Sequence, residues 1–235
     1  MRAPRDARRT VIVGDVHGCL AELRDLLRAV DARPEDRLIS VGDLIGKGPD
    51  SRGVLEWAMR TPNLEGVLGN YELRFLEAWR RGVRPDGKAR DRETLRQLGD
   101  AYESGMRFLS RWPMTLSGDG FLVVHAGFDP REGLEWQSAA QLANLRRLPD
   151  TGEPWYERYA DRRLVVFGHW ARPEPLVRAN VVGLDSGCVY GASLSALVLP
   201  ERRVVSVPAR KAYRPRDWNK EDVGGPLAAR GKAAA

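Results

Sequence analysis

The chain has 235 residues, 43% of them hydrophobic, which fits one generous domain with a buried core. No apolar run is long enough to cross a bilayer, and Met1 to Arg9 carries arginines without an apolar stretch, so neither a membrane span nor a secretory leader is expected and a cytoplasmic address is. The formal net charge of +6 sits at the ends: four arginines against Asp6 in residues 1–10, and seven basic against three acidic residues in 209–235. The body between them is close to neutral, so no nucleic-acid partner is expected for the core. The reading is a basic N-terminal tail over 1–9, a domain over 10–208 and a flexible basic C-terminal tail over 209–235.

In chain order, Thr10 to Val13 reads as a buried strand, and Leu20 to Val30 places Leu23, Leu26, Leu27 and Val30 at helical spacing. Arg37 to Val41 is a second strand, followed by a helix capped by Asp50 or Ser51 and running to Met59. Leu64 to Leu68 is a third strand, and Tyr71 to Arg81 a third helix with Leu73, Leu76 and Trp79 apolar. This βαβαβα order favours parallel pairing. Residues 82–120 change character, with a turn at Arg84-Pro85-Asp86-Gly87 and a charged helical stretch from Glu93 to Trp112, and read as a helical insertion. Strands resume at Phe121 to Val124 and Arg163 to Phe167, with a helix from Ser138 to Arg147 between them. After Trp170 the pattern is all β, near Leu176 to Val182, Ser193 to Leu199 and Arg203 to Val207. The sum is an α/β fold, a two-sheet sandwich flanked by helices.

The three histidines of the chain each stand beside a small residue just past an apolar run, in Gly14-Asp15-Val16-His17-Gly18, His125-Ala126-Gly127 and Gly168-His169-Trp170. Gly42-Asp43 and Gly69-Asn70 repeat the placement after two other strands. Groups on loops past strand ends converge at one rim of an open α/β sheet. Asp15, His17, Asp43, Asn70, His125 and His169 are then six ligands of carboxylate, imidazole and amide type, which suit a borderline divalent ion such as manganese, iron or zinc. Six are too many for one ion. Two ions sharing an aspartate would lie about 3.5–4 Å apart, an arrangement that activates water and clamps phosphoryl oxygens.

With these blocks in this order, the chain resembles the calcineurin-like metallophosphoesterases, in their phosphoprotein-phosphatase branch, over about residues 10–207. The segments Gly42-Asp43-Leu44-Ile45-Gly46-Lys47-Gly48-Pro49, Phe167-Gly168-His169-Trp170 and Leu184-Asp185-Ser186-Gly187-Cys188-Val189-Tyr190-Gly191 are similar to those of symmetrical diadenosine tetraphosphatases and diadenosine-tetraphosphatase-like phosphatases. The resemblance implies that Asp15, His17 and Asp43 hold one ion and that Asp43, Asn70, His125 and His169 hold the other. It implies a phosphatase, a hydrolase in which metal-bound hydroxide attacks phosphorus, with Asn70 also close to substrate.

Two departures from the branch stand out. Its Gly-Asp block continues with an Asp and an Arg where this chain has Gly46 and Lys47, and its proton-donating His is replaced by Tyr71, followed by Glu72. General acid catalysis is worth about 10²–10⁴-fold, and its loss falls on leaving groups that need a proton. A phosphate leaving group, with a second pKa of about 6, departs unaided. The expectation is therefore a phosphoanhydride substrate such as a dinucleoside polyphosphate. A protein phosphatase acting on phosphotyrosine or phosphoserine/threonine is the alternative, and a non-catalytic phosphate or nucleotide sensor the remote one.

Lys47 stands where the branch has a phosphate-gripping arginine, and Arg146 and Arg147 are candidates for a second phosphate contact. Tyr71 either donates its phenolic proton or packs. Trp57 and Trp79 fall on apolar helix faces, while Trp136, Trp155 and Trp170 can line a groove. Asp185 and Tyr190 flank the pocket without an assigned role. Cys19 and Cys188, far apart in the chain, read as reduced thiols, as small buried hydrophobes or as neighbours of the site.

Overall fold

A computed structural model describes residues 9–218. Strands β1 (Thr10–Val13), β2 (Arg37–Ser40) and β3 (Leu64–Gly66) pair in parallel, as the alternating βαβ pattern requires, through helices α1 (Leu20–Ala29) and α2 (Ser51–Met59). The hairpin of β9 (Ser193–Leu199) and β10 (Arg203–Pro208) adds antiparallel to β1, giving the order β10-β9-β1-β2-β3. The second sheet has the order β4-β5-β6-β8-β7, from β4 (Thr115–Gly118), β5 (Phe121–Val124), β6 (Leu164–Phe167), β7 (Leu176–Val177) and β8 (Val181–Gly183).

Strand alternation makes this a sandwich. Ile12, Ile39, Val123, Val166 and Leu197 point inward and form one buried cluster between the sheets. Their neighbours Val11 and Val13 turn out under the helices, where they meet Leu23, Leu26, Leu55, Phe75 and Met106. On the second sheet, Leu122, Val124, Val165 and Phe167 turn out onto Trp155 and Tyr156. Both faces of these strands are covered, which is why they read as continuous apolar runs.

Several expectations change. The stretch read as one helix from Glu93 to Trp112 is two helices, α4 (Ala89–Leu98) and α5 (Ala101–Leu109). Gly99, at φ 51°, ends α4 in a backbone conformation that side chains resist. The end of the presumed insertion is β4, a strand of the second sheet, joined to β5 across Asp119-Gly120. That dipeptide is a hairpin signal, and Gly120 has φ 74°. The helix expected from Ser138 to Arg147 is only α6 (Ala139–Asn144), capped by Ser138.

The expected tail from residue 209 is also corrected in part, because residues 209–218 lie on the domain. The Arg210 amide and the Tyr213 phenol both donate to Glu22 Oε1, at 3.1 and 2.8 Å, and Arg214 Nε donates to the Lys47 carbonyl at 2.7 Å. At the other end Arg9 pairs with Asp36 rather than belonging to a free tail. The remainder of both expected tails, 1–8 and 219–235, lies outside the described residues. Among the described residues no helix is long and apolar enough to cross a membrane.

Candidate dinuclear metal centre

Both sheets end at the same rim. Asp15 and His17 follow β1, Asp43 follows β2, Asn70 opens α3 (Asn70–Arg80) after β3, His125 follows β5 and His169 follows β6. The six side chains expected as ligands meet there. Ligand atoms of Asp15, His17 and Asp43 lie within 4.8 Å of one another. Asp43 joins the two halves of the cluster: its Oδ2 is 3.4 Å from His17 Nε2 and its Oδ1 is 3.6 Å from His125 Nε2. Asn70 Oδ1 stands 3.2 Å from both His125 Nε2 and His169 Nδ1.

Two of the small residues beside these candidates have a steric reason. A Cβ on Gly168 would stand 2.0 Å from Asp15 Oδ1, and one on Gly69 would stand 2.2 Å from Asp43 Oδ1, so only glycine lets the strand ends close around the carboxylates. The backbone is also strained here. His17, Asp43, Lys47 and His169 have φ of 47°, 51°, 59° and 64°, a left-handed region that costs non-glycine residues energy and collects at functional sites.

Residues behind the cluster orient it. His125 Nδ1 donates to the Val41 carbonyl at 2.8 Å, which turns the Nε2 lone pair toward Asp43 and Asn70. Asp15 accepts the His169 amide on both carboxylate oxygens, at 3.1 and 3.0 Å. Glu72, to which sequence reasoning gave no role, accepts three backbone amides: Asp43 at 2.7 Å, Ile45 at 3.1 Å and Gly69 at 3.1 Å. It holds the Asp43 loop to the start of α3. The signal was present in its place three residues after Gly69, the spacing of a helix capping box.

The electrostatics ask for cations. Asp15, Asp43 and Asp185 are all buried at this rim. Burial, then the charges of Asp185 and Asp43, pushes the Asp15 carboxyl well above its usual range. Burial works against ionisation of Asp43 too, but His125, His17, Lys47 and the Tyr71 amide together bring it down to about 2. Burial and then Asp43 push the Glu72 carboxyl up to about 8, against the amides that favour its anion. Burial, with Lys47 beside it, lowers His17 to about 3, and burial with His125 lowers His169 well below the usual imidazole range. Both imidazoles are therefore neutral and offer lone pairs, as metal ligands must. The Lys47 ammonium lies 2.9 Å from His17 Nε2, one positive charge facing a lone pair that suits a metal. Neutral imidazoles, an amide oxygen and buried carboxylates in excess of the nearby ammonium fit a pair of divalent cations.

Lys47 sits between the rings of Tyr71 and Tyr190, with Nζ 5.2 Å from each centroid. Burial lowers its pKa, but Tyr190, Asp43, Tyr71 and Asp185 outweigh that and keep the ammonium charged. The Tyr71 ring explains the paired departures noted in the sequence. A Cβ on Gly46 would stand 2.2 Å from this ring, so Tyr71 fills the space a side chain at position 46 would need. Its hydroxyl is buried with no hydrogen-bond partner among the described residues, and burial raises its pKa. Both features favour packing over proton donation. Tyr71→Phe is accordingly expected to keep steady-state turnover of an aryl phosphate within about threefold of the parent, where loss of a general acid costs about 10²–10⁴-fold. A drop of the larger size would restore the donor role.

The remaining candidates divide. The chain is extended after α6, so Arg146 and Arg147 turn apart. Arg146 donates to the His169 carbonyl at 3.2 Å, while Arg147 donates to the Gly152 carbonyl and lies over Trp170. Trp155 is core, its indole donating to the Ala126 carbonyl. Trp170 is buried between Arg147 and Arg172, and Trp136 is exposed. Trp57 and Trp79 are half-buried against the core under α2 and α3. Beside Lys47 opens a groove of about 540 Å³ lined in part by Arg90, Glu93, Gln97, Tyr213 and Arg214.

Residues 8–204 match the calcineurin-like phosphoesterase family. The chain belongs to that family. It is thus a hydrolase of a family that uses a dinuclear divalent metal site. It is 27% identical to the symmetrical bis(5'-nucleosyl)-tetraphosphatase of Janthinobacterium sp. (strain Marseille), over 88% of this chain and 98% of the relative. It is 30% identical to the protein of the same description from Edwardsiella ictaluri (strain 93-146), over 87% and 98%. Among solved structures it is similar to one described as a "putative diadenosine tetraphosphatase", with 33% identity, a TM-score of 0.74, and coverage of 88% of this chain and 96% of that one.

Proposed function

We propose that this chain hydrolyses phosphoanhydrides, dinucleoside polyphosphates foremost, in the cytoplasm. Two divalent cations, manganese the first choice, would be held by Asp15, His17 and Asp43 and by Asp43, Asn70, His125 and His169. When bound, such a pair supplies an activated water and neutralises charge on the phosphoryl oxygens. The names of the relatives support the substrate class, and the groove beside Lys47 offers room for the rest of a long substrate, with Arg90 and Arg214 as cationic lining.

The observation that carries this reading is the Tyr71 ring packed onto Gly46. No acid pair stands there to protonate a leaving alkoxide, whereas a nucleoside diphosphate departs as a stable anion. In this reading Lys47 neutralises a phosphoryl oxygen as a point charge, Asn70 touches substrate through its amide, and Arg146, which bonds the His169 carbonyl, makes a further phosphate contact. Water adds to phosphorus, the central anhydride bond of a tetraphosphate breaks, and two nucleoside diphosphates and a proton result.

The test is turnover of manganese-loaded protein on a dinucleoside tetraphosphate, an aryl phosphate and a phosphoserine peptide. The anhydride is expected to exceed the peptide by about 10²-fold or more in kcat/KM, the scale of a general acid. Equal rates would overturn the anhydride preference, and no turnover of any substrate by metal-loaded protein would leave a phosphate sensor.

A further inference from the structure

Outside the six-residue cluster the chain buries a second group of metal-binding side chains. Cys19 caps α1, Glu22 lies in its first turn, and Cys188 comes from the loop between β8 and β9. A ligand atom from each lies within 4.8 Å of the other two, and all three residues are at most 1% exposed. The fold thus joins two thiols that the sequence separates by most of its length. Glu22 Oε1 accepts from the Arg210 amide and the Tyr213 phenol, but Oε2 is buried with no hydrogen-bond partner among the described residues. Cys19 Sγ reaches the His17 carbonyl at 3.9 Å, and the two thiols face each other: the Cys19 thiol, then burial, pushes the Cys188 thiol up. A buried carboxylate oxygen without a donor is costly unless a cation satisfies it, and the two sulfurs lie close enough to this carboxylate to share one.

We propose that Cys19, Cys188 and Glu22 form a separate site for one thiophilic divalent cation of the zinc class, structural in role. Two thiolates and a carboxylate suit such an ion, while the sulfur-free cluster at the rim suits harder ones. Binding releases the two thiol protons to solvent and leaves the carboxylate paired. The site ties together three segments that support Lys47. Cys19 Sγ lies 3.3 Å from the Cβ position of Gly48, Tyr190 two residues past Cys188 stacks on the Lys47 ammonium, and Arg214, next to Tyr213, bonds the Lys47 carbonyl. The bound cation would brace the loop that presents Lys47.

Cobalt(II) provides a readout independent of activity, because only a sulfur-ligated ion gives a near-ultraviolet sulfur-to-cobalt charge-transfer band. The full chain, produced in cobalt-supplemented medium and kept reduced with a phosphine, is expected to show this band for one sulfur-bound cobalt per chain. Cys188→Ser should lose it, and Glu22→Gln should weaken ion retention while keeping side-chain shape. Cobalt-loaded wild-type protein without the band, whose two thiols titrate as free on unfolding, would overturn the proposal. So would chains that show no titratable thiol on unfolding before any reductant is added, since the pair would then be a disulfide.

Discussion

Asp43→Asn is expected to lower kcat/KM by about 10³-fold or more, equivalent to about 4 kcal/mol of transition-state stabilisation, and to leave the fold intact. Each carboxylate oxygen of Asp43 faces a different half of the cluster, Oδ2 toward His17 at 3.4 Å and Oδ1 toward His125 at 3.6 Å. An amide removes the negative charge and turns an N–H₂ group, which has no lone pair to give, toward one of the two imidazoles. One substitution therefore damages both halves, whereas His125→Asn damages one. Elemental analysis after manganese loading should show about two equivalents in the parent and one or fewer in Asp43→Asn, with unchanged circular dichroism. Two tightly held ions and near-parental turnover in the variant would overturn the assignment of Asp43 as the shared ligand.

Glu72→Ala is expected to cost both stability and metal affinity, although Glu72 is not among the six. Its carboxylate is fully buried and takes the amides of Asp43, Ile45 and Gly69. Alanine leaves those three N–H groups buried without an acceptor, at about 1–3 kcal/mol each before relaxation, so a net loss of about 4 kcal/mol is expected. In a chain of this size that lowers Tm by about 10 °C. The freed Asp43 loop should also weaken manganese binding by about 10–100-fold, as loss of a supporting partner does. Thermal unfolding and a manganese titration measure the two effects separately. Glu72→Gln, which keeps one acceptor oxygen but puts an N–H₂ group where the other accepts an amide, should fall between parent and alanine. An unchanged Tm in Glu72→Ala would show that water replaces the carboxylate at little cost.

The convergence of the six candidate side chains was largely legible in the sequence because they obey a local rule. Each stands one to four residues past a short apolar run and beside a glycine or alanine, and the same close packing that requires the small residue makes the pattern visible. The strands were legible for a related reason. Val11, Ile12 and Val13 are all buried, the inner and outer faces of the sandwich being both covered. Less visible were features that depend on partners distant in the chain. β4 is a short, partly exposed edge strand whose only strong local sign is the Asp119-Gly120 turn. Nothing around residue 210 reveals that Tyr213 bonds Glu22, almost the whole domain away.

By itself, the sequence determined the α/β alternation and the rim at which six candidate side chains gather, since periodicity, turn chemistry and residue type are properties of neighbouring residues. Only the tertiary structure decided how Gly46 and Tyr71 share one space, that Arg146 and Arg147 part company, that Glu72 anchors the Asp43 loop, and that two separated cysteines meet a buried glutamate. These are contacts between segments brought together by two packed sheets. Their energies arise from burial and from groups facing each other across the chain, which no stretch of neighbouring residues contains.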